Sequence, residues 1–281
     1  MGILYIVATP IGNLEDISAR AIHVLKSVHL IAAEDTRHSQ RLLQHFNISV
    51  PLVSYHEHNE KEMTKKLIHA LQEDKNIALI SDAGTPLISD PGYHLVKACH
   101  EHHLKVVPVP GACAFITGLS AAGISSARFI FEGFLPAQTS LRKAALEKLK
   151  TETCTLIFYE APHRIEACLE DLCAILGKQR EATFCRELTK TFETIRKAPL
   201  GELVAWVKDD TDQTKGECVL IIEGADEEAL TQESFKKAEN HLKTLLEGIP
   251  LKKAVKITAE LFGVSKNLLY DAALKYQKEK P

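Results

Sequence analysis

Three short apolar runs in the first 110 residues each end in a loop rich in glycine and proline. Residues 4–8 lead into 9–13, residues 77–81 into 82–86, and residues 106–109 into Pro110 and Gly111. Glycine lets a ligand approach the backbone closely, and proline holds a bend rigid. If the runs are parallel strands, their loops meet at one edge of a sheet, where α/β proteins bind small molecules. The spacing therefore predicts one shaped pocket.

The composition of these loops narrows the choice of ligand. A dinucleotide site would need Gly-x-Gly-x-x-Gly after the first strand, where residues 9–14 read TPIGNL. A phosphate loop would need a lysine after its last glycine, but the Gly-x4-Gly segment at 118–123 is followed by isoleucine and serine. Pro10, Pro86 and Pro110 also lack the N–H donors that an anion requires. The loops favour a neutral or cationic ligand, such as a sulfonium, over NAD or ATP.

Strand and helix patterns alternate over the first half of the chain, in which the strands are predicted at residues 4–8, 29–33, 52–55, 77–81 and 105–109, and the helices at 18–26, 36–46, 60–72 and 91–102. Helical crossovers between five strands predict a parallel sheet with helices on both faces. This α/β domain spans residues 1–115.

A second, less regular cycle follows a helix at 112–122 and predicts a mixed sheet in a domain over residues 116–225. Its strands are predicted at 129–135, 155–159, 182–187 and 216–223, its helices at 141–149, 164–176 and 200–207, and residues 190–195 are either strand or loop. With 281 residues and 45% hydrophobic content, the chain is large enough for two α/β domains and an appendage.

Composition changes after Gly224. Asp226, Glu227, Glu228 and Glu233 predict an acidic, exposed connection, and residues 236–281 then carry ten lysines against five acids, although the whole chain has a charge of −3. Helical patterns at 251–262 and 266–276, separated by a glycine, are typical of a helix-turn-helix. The appendage, residues 226–281, is either a helical cap on the main body or an RNA contact, and its positive charge favours RNA.

The cysteines and the lengths of the apolar runs indicate in which cellular compartment the protein is expected. The seven cysteines are scattered without a Cys-x-x-Cys pair, which favours reduced thiols over disulfides or zinc. The first residues lack a signal-peptide pattern, and no 18 apolar residues are consecutive. We therefore expect a cytoplasmic protein with no membrane span.

Eight motifs stand in order along nearly the whole chain: LYIVATPIGNL at 4–14, AEDTR at 33–37, SDAGTP at 81–86, DPG at 90–92, GFLP at 133–136, FYEAPHR at 158–164, RELTK at 186–190 and KGE at 215–217. Together they resemble the ribosomal RNA small subunit methyltransferase I family, of the tetrapyrrole-methylase-like class. The resemblance implies a homodimer of two-domain protomers with S-adenosylmethionine bound between the domains. It also implies 2′-O-methylation of a cytidine in the decoding region of 16S ribosomal RNA, with that RNA or the small ribosomal subunit as partner.

The resemblance further implies which residues contact the cofactor. They are Pro10, Ile11, Gly12, Asp82, Ala83, Gly84, Thr85, Pro86, Leu87, Ile88, Ala114, Phe115, Tyr159, Glu160, Ala161, Pro162 and Gly216. The chain departs from the family at Ala112, because the third loop of the family often reads Pro-Gly-Pro.

Methylation of a ribose requires that its hydroxyl be aligned with the C–S bond and lose its proton. Lys190 and Glu187 are the predicted bases, with mutual pairing of solvated charges as the alternative. Tyr55 and Phe192 are predicted to stack on a displaced base. The predicted RNA contacts are Arg37, His38, Arg41, Arg142, Lys143, His163, Arg164 and Arg186.

Two histidine clusters, at 56–58 and 100–103, lack a metal-ligand spacing, so no catalytic metal is expected. Two other functions remain open: a methyltransferase of tetrapyrrole-type small molecules, and a non-catalytic RNA-binding protein with an α/β scaffold. Glycine and proline at three strand ends favour an enzyme, and the basic appendage favours RNA.

Overall fold

A computed structural model describes residues 1–279, of which the first half forms a five-stranded parallel sheet. Its strands are β1 (Ile3–Val7), β2 (Leu30–Ala33), β3 (Leu52–Ser54), β4 (Ile77–Ile80) and β5 (Lys105–Val109), and its helices are α1 (Ala19–Ser27), α2 (Thr36–His45), α3 (Glu60–Gln72) and α4 (Tyr93–Glu101). The strand order is β3-β2-β4-β1-β5, which confirms the predicted parallel sheet. Because β4 and β5 flank β1, the three glycine-proline loops lie side by side.

Helices cover both faces of this sheet, as predicted. Leu25 of α1 and Leu43 of α2 pack on one face, while Leu71 of α3 and Leu95 of α4 pack on the other. Burying a side chain of this size stabilises the fold by about 1.5–3 kcal/mol. The sheet is therefore a rigid support for the loops at its edge.

The second half forms a mixed sheet, which the sequence also predicted. It contains α5 (Ala114–Ala121), β6 (Phe129–Phe134), α6 (Thr139–Leu149), β7 (Thr155–Glu160), α7 (Ile165–Leu176), β8 (Glu181–Arg186), β9 (Thr194–Pro199), α8 (Leu200–Asp209) and β10 (Cys218–Ile222). In the order β6-β7-β10-β8-β9, only β6 and β7 are parallel. Helices α6, α7 and α8 supply side chains to one core beside the sheet, and α5 packs against β7 and β10.

Helix α5 joins the two sheets. Its Phe115 and Leu119 belong to one apolar cluster with Ile11 of the first loop and with Ile157 and Val219 of the second sheet. The predicted domain boundary at residue 115 thus falls inside a helix that packs on the second sheet. The same cluster holds the first loop against the second domain.

The acidic connection is exposed, as the sequence predicted, and most of it is helical, which the sequence analysis did not predict. Helix α9 (Glu227–Leu245) begins there because the Asp226 carboxylate accepts hydrogen bonds from the N–H groups of Glu228 and Ala229. The acidic residues of its first turn also stabilise the helix, since they lie at the positive end of the helix dipole. The predicted helix pair is present as α10 (Leu251–Phe262) and α11 (Lys266–Glu279). The three helices share an apolar core. Through residue 279, no helix has the length and apolarity to cross a bilayer.

Candidate active site

A cavity of about 420 Å³ lies between the two sheets. Its first-domain wall consists of the glycine-proline loops, which are tied together by hydrogen bonds. The Thr9 N–H donates to the Gly84 carbonyl over 2.8 Å, and the Gly84 N–H returns a bond to the Thr9 carbonyl over 3.1 Å. The Thr85 hydroxyl donates to the carbonyl of Ala112 over 2.9 Å. The three loops therefore act as one wall.

Most residues predicted to contact a cofactor line this cavity: Ile11, Asp82, Ala83, Gly84, Thr85, Ile88, Ala114, Tyr159, Glu160, Ala161 and Pro162. Pro10 and Gly12 line a neighbouring groove instead. Pro86, Leu87, Phe115 and Gly216 line neither space. Leu87 packs beneath α4 and Phe115 packs on the second sheet, so both support the wall from behind.

Five carboxyl groups line the cavity, and sequence reasoning gave a cofactor role to two of them, Asp82 and Glu160; the other three are Glu34, Asp90 and Glu217. Burial, together with the charges of Glu34 and Asp82, raises the pKa of Asp90 to about 7. Burial and the charge of Asp82 also raise the pKa of Glu34. Both shifts mean that negative charge in this cavity is poorly solvated. The cavity therefore favours a ligand that carries positive charge.

The second-domain wall is mainly apolar. The Tyr159 hydroxyl accepts a hydrogen bond from the Phe115 N–H over 3.2 Å, and its ring packs edge-on against Phe131 and Phe134. Burial raises the pKa of Tyr159, so its hydroxyl stays neutral. With Val219 beside it, this wall offers apolar surface to a flat ring.

Lys190 stands at the edge of the cavity between two carboxylates. Its Nζ lies 2.9 Å from Glu187 Oε1 and 2.9 Å from Glu217 Oε2. Burial alone would lower the pKa of Lys190, but the two carboxylates outweigh it and the pKa is raised. For Glu187, burial is outweighed by the hydrogen bonds from Lys190 and from the Glu217 N–H, so its pKa is lowered. Both groups are charged in the free protein.

The loop that carries this pair has an unusual backbone. Glu187 and Thr189 adopt positive φ angles of 51° and 67°, which are rare for residues with side chains and concentrate at functional sites. The aliphatic stem of Lys190 lies against Gly12, where an added Cβ would come within 2.4 Å of Lys190 Cγ. A side chain at Gly12 would therefore displace Lys190. Gly216 likewise leaves room for the Glu187 carboxylate.

The neighbouring groove, which we call the α2 groove, has a volume of about 380 Å³. Ile11, Asp82, Ala83 and Glu217 line both this groove and the cavity, so the two spaces adjoin. Lys190 lines the groove, whereas Glu187 lies behind Lys190 and lines neither space. Glu217 is thus a site residue for which the sequence predicted no catalytic part, although it lies in the quoted KGE motif.

Two of the arginines predicted to contact RNA are buried, so these predictions are wrong. Arg142 is 3% exposed, and its Nε donates to Asp171 Oδ2 over 2.7 Å. Arg186 is 8% exposed and donates to Gln213 and Thr194. Arg142 is paired with a buried carboxylate and Arg186 is held by neutral acceptors, so neither guanidinium faces solvent.

The other side chains predicted to contact RNA differ in whether they are already bonded to groups within the protein. Arg164 is engaged by Glu160 and by the Leu135 carbonyl, which fixes the end of β7. Tyr55 is 1% exposed and its hydroxyl bonds to Glu60 and Thr64, so the prediction that it stacks on a base is wrong. The remaining candidates are exposed: Arg37, His38, Arg41, Lys143, His163 and Phe192.

The histidine clusters do not form a metal site in the part of the chain that the structure describes. No group of three or more His, Cys, Asp or Glu side chains there is placed to hold a metal ion. In the first cluster, the rings of His56 and His58 contact each other edge-on.

Comparisons with known proteins agree with the geometry. Residues 3–204 match the family Tetrapyrrole (Corrin/Porphyrin) Methylases, and residues 232–277 match the RsmI C-terminal HTH domain. The chain is 55% identical over 278 residues to a protein of Escherichia coli O157:H7 named ribosomal RNA small subunit methyltransferase I, with 98% of this chain and 96% of that one covered. A protein of the same name from Pseudomonas aeruginosa is 54% identical over 280 residues, with 98% of each chain covered.

A solved structure shares the fold. The crystal structure of diphthine synthase superimposes with a TM-score of 0.60 at 15% identity, covering 79% of this chain and 90% of that one. At this identity the likeness concerns architecture alone.

Proposed function

The chain belongs to the ribosomal RNA small subunit methyltransferase I family, and from that premise we propose that it transfers a methyl group from S-adenosylmethionine to 16S ribosomal RNA. The acceptor in this proposal is the ribose 2′-oxygen of a cytidine in the decoding region. The observation that carries the proposal is the juxtaposition of an acidic cavity for a cationic donor with a basic groove that faces solvent.

The cavity fits this cofactor. Its volume lies within the range of about 300–1,000 Å³ that is usual for small-molecule sites. Glu34, Asp82 and Asp90 supply negative charge for a sulfonium, and the apolar wall around Tyr159 suits an adenine ring. When bound, the cofactor supplies an electrophilic methyl group on a good leaving group. Asp82 to Thr85 and Ala161 are the residues that would hold it from the two sides.

Lys190 and Glu187 are proposed to move the proton of the ribose hydroxyl. The hydroxyl proton passes to Lys190 Nζ as Nζ passes one of its own protons to Glu187 Oε1, which lies 2.9 Å away, so no free neutral amine has to form against the pKa directions of this pair. The ribose oxygen keeps the electron pair that forms the new bond to carbon. Glu187 ends protonated and Lys190 ends as an ammonium, so every proton is accounted for. Glu217 holds the Lys190 amine at the mouth of the groove.

The Lys190 step can be tested by separating charge from proton transfer. Lys190→Arg keeps a cation between the two carboxylates, but arginine does not lose its proton in proteins. We expect both Lys190→Arg and Lys190→Met to lose methyl transfer by about 10²–10⁴-fold, as is usual for a missing general base, while they still bind the cofactor. Activity of Lys190→Arg near that of the unaltered protein would contradict the base role.

We also propose that the protein acts as a homodimer in the cytoplasm. Ile116 on α5 and Phe129 on the edge strand β6 expose apolar surface, and the Phe129 ring lies 6.1 Å from Phe115. Light scattering at micromolar concentration tests the dimer, and Phe129→Glu is expected to shift it toward monomer. A protein that is monomeric at every concentration would exclude this assembly.

The substrate is tested by incubating the protein with methyl-labelled cofactor and small ribosomal subunits, with porphyrin precursors as the small-molecule control. We expect label in 16S RNA, at a ribose that resists alkaline cleavage because its 2′-oxygen is blocked. Label on a base would refute the ribose assignment, and label in the porphyrin alone would refute the RNA substrate.

A further inference from the structure

One face of α2 lines the α2 groove. His38, Arg41 and His45 are spaced by three and four residues, which places them on one side of a helix, and all three line the groove together with Leu42. Each of the three basic side chains is exposed. The groove thus has a continuous basic stripe on one wall.

The polar groups of this stripe are available to a ligand. Within residues 1–279, the side chains of His38, Arg41 and His45 form no ion pair or hydrogen bond, and His45 only contacts the ring of Phe46. Arg37, one turn earlier on the same helix, differs because its guanidinium donates to both carboxylate oxygens of Asp35 over 3.4 and 3.2 Å. Arg41 therefore has all five N–H donors free in a fork that matches a phosphate.

The adjoining cavity has the opposite character. Its carboxylates repel an anion, and two of the carboxylates, Asp82 and Glu217, also face the α2 groove from the shared wall. Glu217 is paired with Lys190, and Asp82 Oδ1 accepts the Asp35 N–H over 3.0 Å. A phosphate therefore finds unpaired positive charge on the α2 side of the groove, which Lys190 also lines. A ribose next to that phosphate would share the groove with Lys190, the proposed proton acceptor.

We propose that the α2 groove binds the backbone phosphate that adjoins the acceptor ribose, with Arg41 as its main contact and His38 and His45 on either side. This inference rests on the proposed function, since it takes RNA as the acceptor. It makes Arg41 a substrate-positioning residue, whereas Arg37 contributes only general positive charge.

The test compares Arg41→Gln with Arg37→Gln in the full-length protein, because both changes remove one exposed charge from the same helix. Binding of a fluorescent RNA with the decoding-region sequence is measured from 50 to 300 mM salt. We expect Arg41→Gln to bind about tenfold more weakly at low salt and to lower the slope of log affinity against log salt by about 0.7–0.9, the value for one phosphate. Arg37→Gln should bind within about twofold of the unaltered protein.

Three results decide the matter when cofactor affinity and methyl transfer to small subunits are measured on the same preparations. Unchanged cofactor affinity in Arg41→Gln with weakened RNA binding supports the groove. Equal losses in Arg41→Gln and Arg37→Gln, or no loss in either, overturn it while leaving methyl transfer by the unaltered protein intact. No transfer to RNA by the unaltered protein overturns the proposed function, and the groove assignment with it.

Discussion

Replacing Asp90 with asparagine is expected to remove a pH dependence from cofactor binding. Burial and the charges of Glu34 and Asp82 raise the pKa of Asp90 to about 7, although a hydrogen bond from Ser81 works in the other direction. Since Asp90 is an acid, it is mostly neutral below pH 7 and mostly ionised above. A cation in the cavity favours the ionised form, so affinity for S-adenosylmethionine should rise as the pH rises through 7.

The size of the effect follows from the population of the ionised form. With a pKa of about 7, that form amounts to about a tenth of the molecules at pH 6 and about nine tenths at pH 8. If the sulfonium binds only to the ionised form, its affinity increases about tenfold between these pH values. S-adenosylhomocysteine lacks the positive sulfur, so its affinity should stay within about twofold through this range, apart from titration of its amino acid group.

Isothermal titration of both ligands at constant ionic strength measures this difference, and the ratio of their affinities cancels the amino acid group that they share. In Asp90→Asn the ratio should become flat with pH, since asparagine has nearly the same shape but does not titrate. Glu34→Gln is the second variant: with one repelling charge removed, the pKa of Asp90 falls and the midpoint of the rise moves to lower pH. A ratio that is independent of pH in the unaltered protein would refute the reasoning.

Two further predictions concern the loop wall and the buried arginine. Gly84→Val should abolish cofactor binding in calorimetry while circular dichroism shows the fold retained, because φ is +85° at Gly84 and an added Cβ would lie 3.3 Å from Ile11 Cγ2; unchanged affinity would contradict the pocket. Arg142→Met should lower the free energy of unfolding in urea by about 3–5 kcal/mol, since it leaves Asp171 charged and buried. Lys143→Met, which removes the half-exposed partner of the same carboxylate, should cost less than about 1 kcal/mol, and equal losses would contradict the burial argument.

Much of the fold was predictable because its signals are local. The alternation of apolar strands and amphipathic helices can be recognised in short stretches of sequence, and both α3 and β5 begin and end at their predicted residues. The strand order depends on pairings between segments that are far apart in the sequence, so no short stretch of sequence reveals it. The helix after residue 226 was not predicted for a different reason: Asp226 followed by acidic residues is compatible with a solvated connection and with the first turn of a helix, and the capping hydrogen bonds favour the helix.

For the site, the glycine-proline loops were predictable but the burial of charges was not. Exposed and buried arginines look alike in a sequence, and the partner of Arg142 is Asp171, on another helix. Glu34 and Asp90 lie in motifs that were noticed, but their meeting in the cavity depends on where β2 and β4 lie in the sheet. The rule that ligands bind beyond the carboxyl ends of parallel strands would have pointed to Glu34, which follows β2 directly.

The two adjoining spaces differ in the charge that is free to meet a ligand, which is carboxylate in the cavity and the Arg41 guanidinium in the α2 groove. In a single space, the cationic cofactor and the anionic RNA would attract each other and could bind in several orientations. The separate cavity and α2 groove instead hold each of them against side chains of opposite charge. Lys190 lies at the shared wall because Gly12 lets its stem cross from the second domain to the first. Any side chain at Gly12 would therefore displace Lys190, the proposed proton acceptor, and narrow the α2 groove that both residues line.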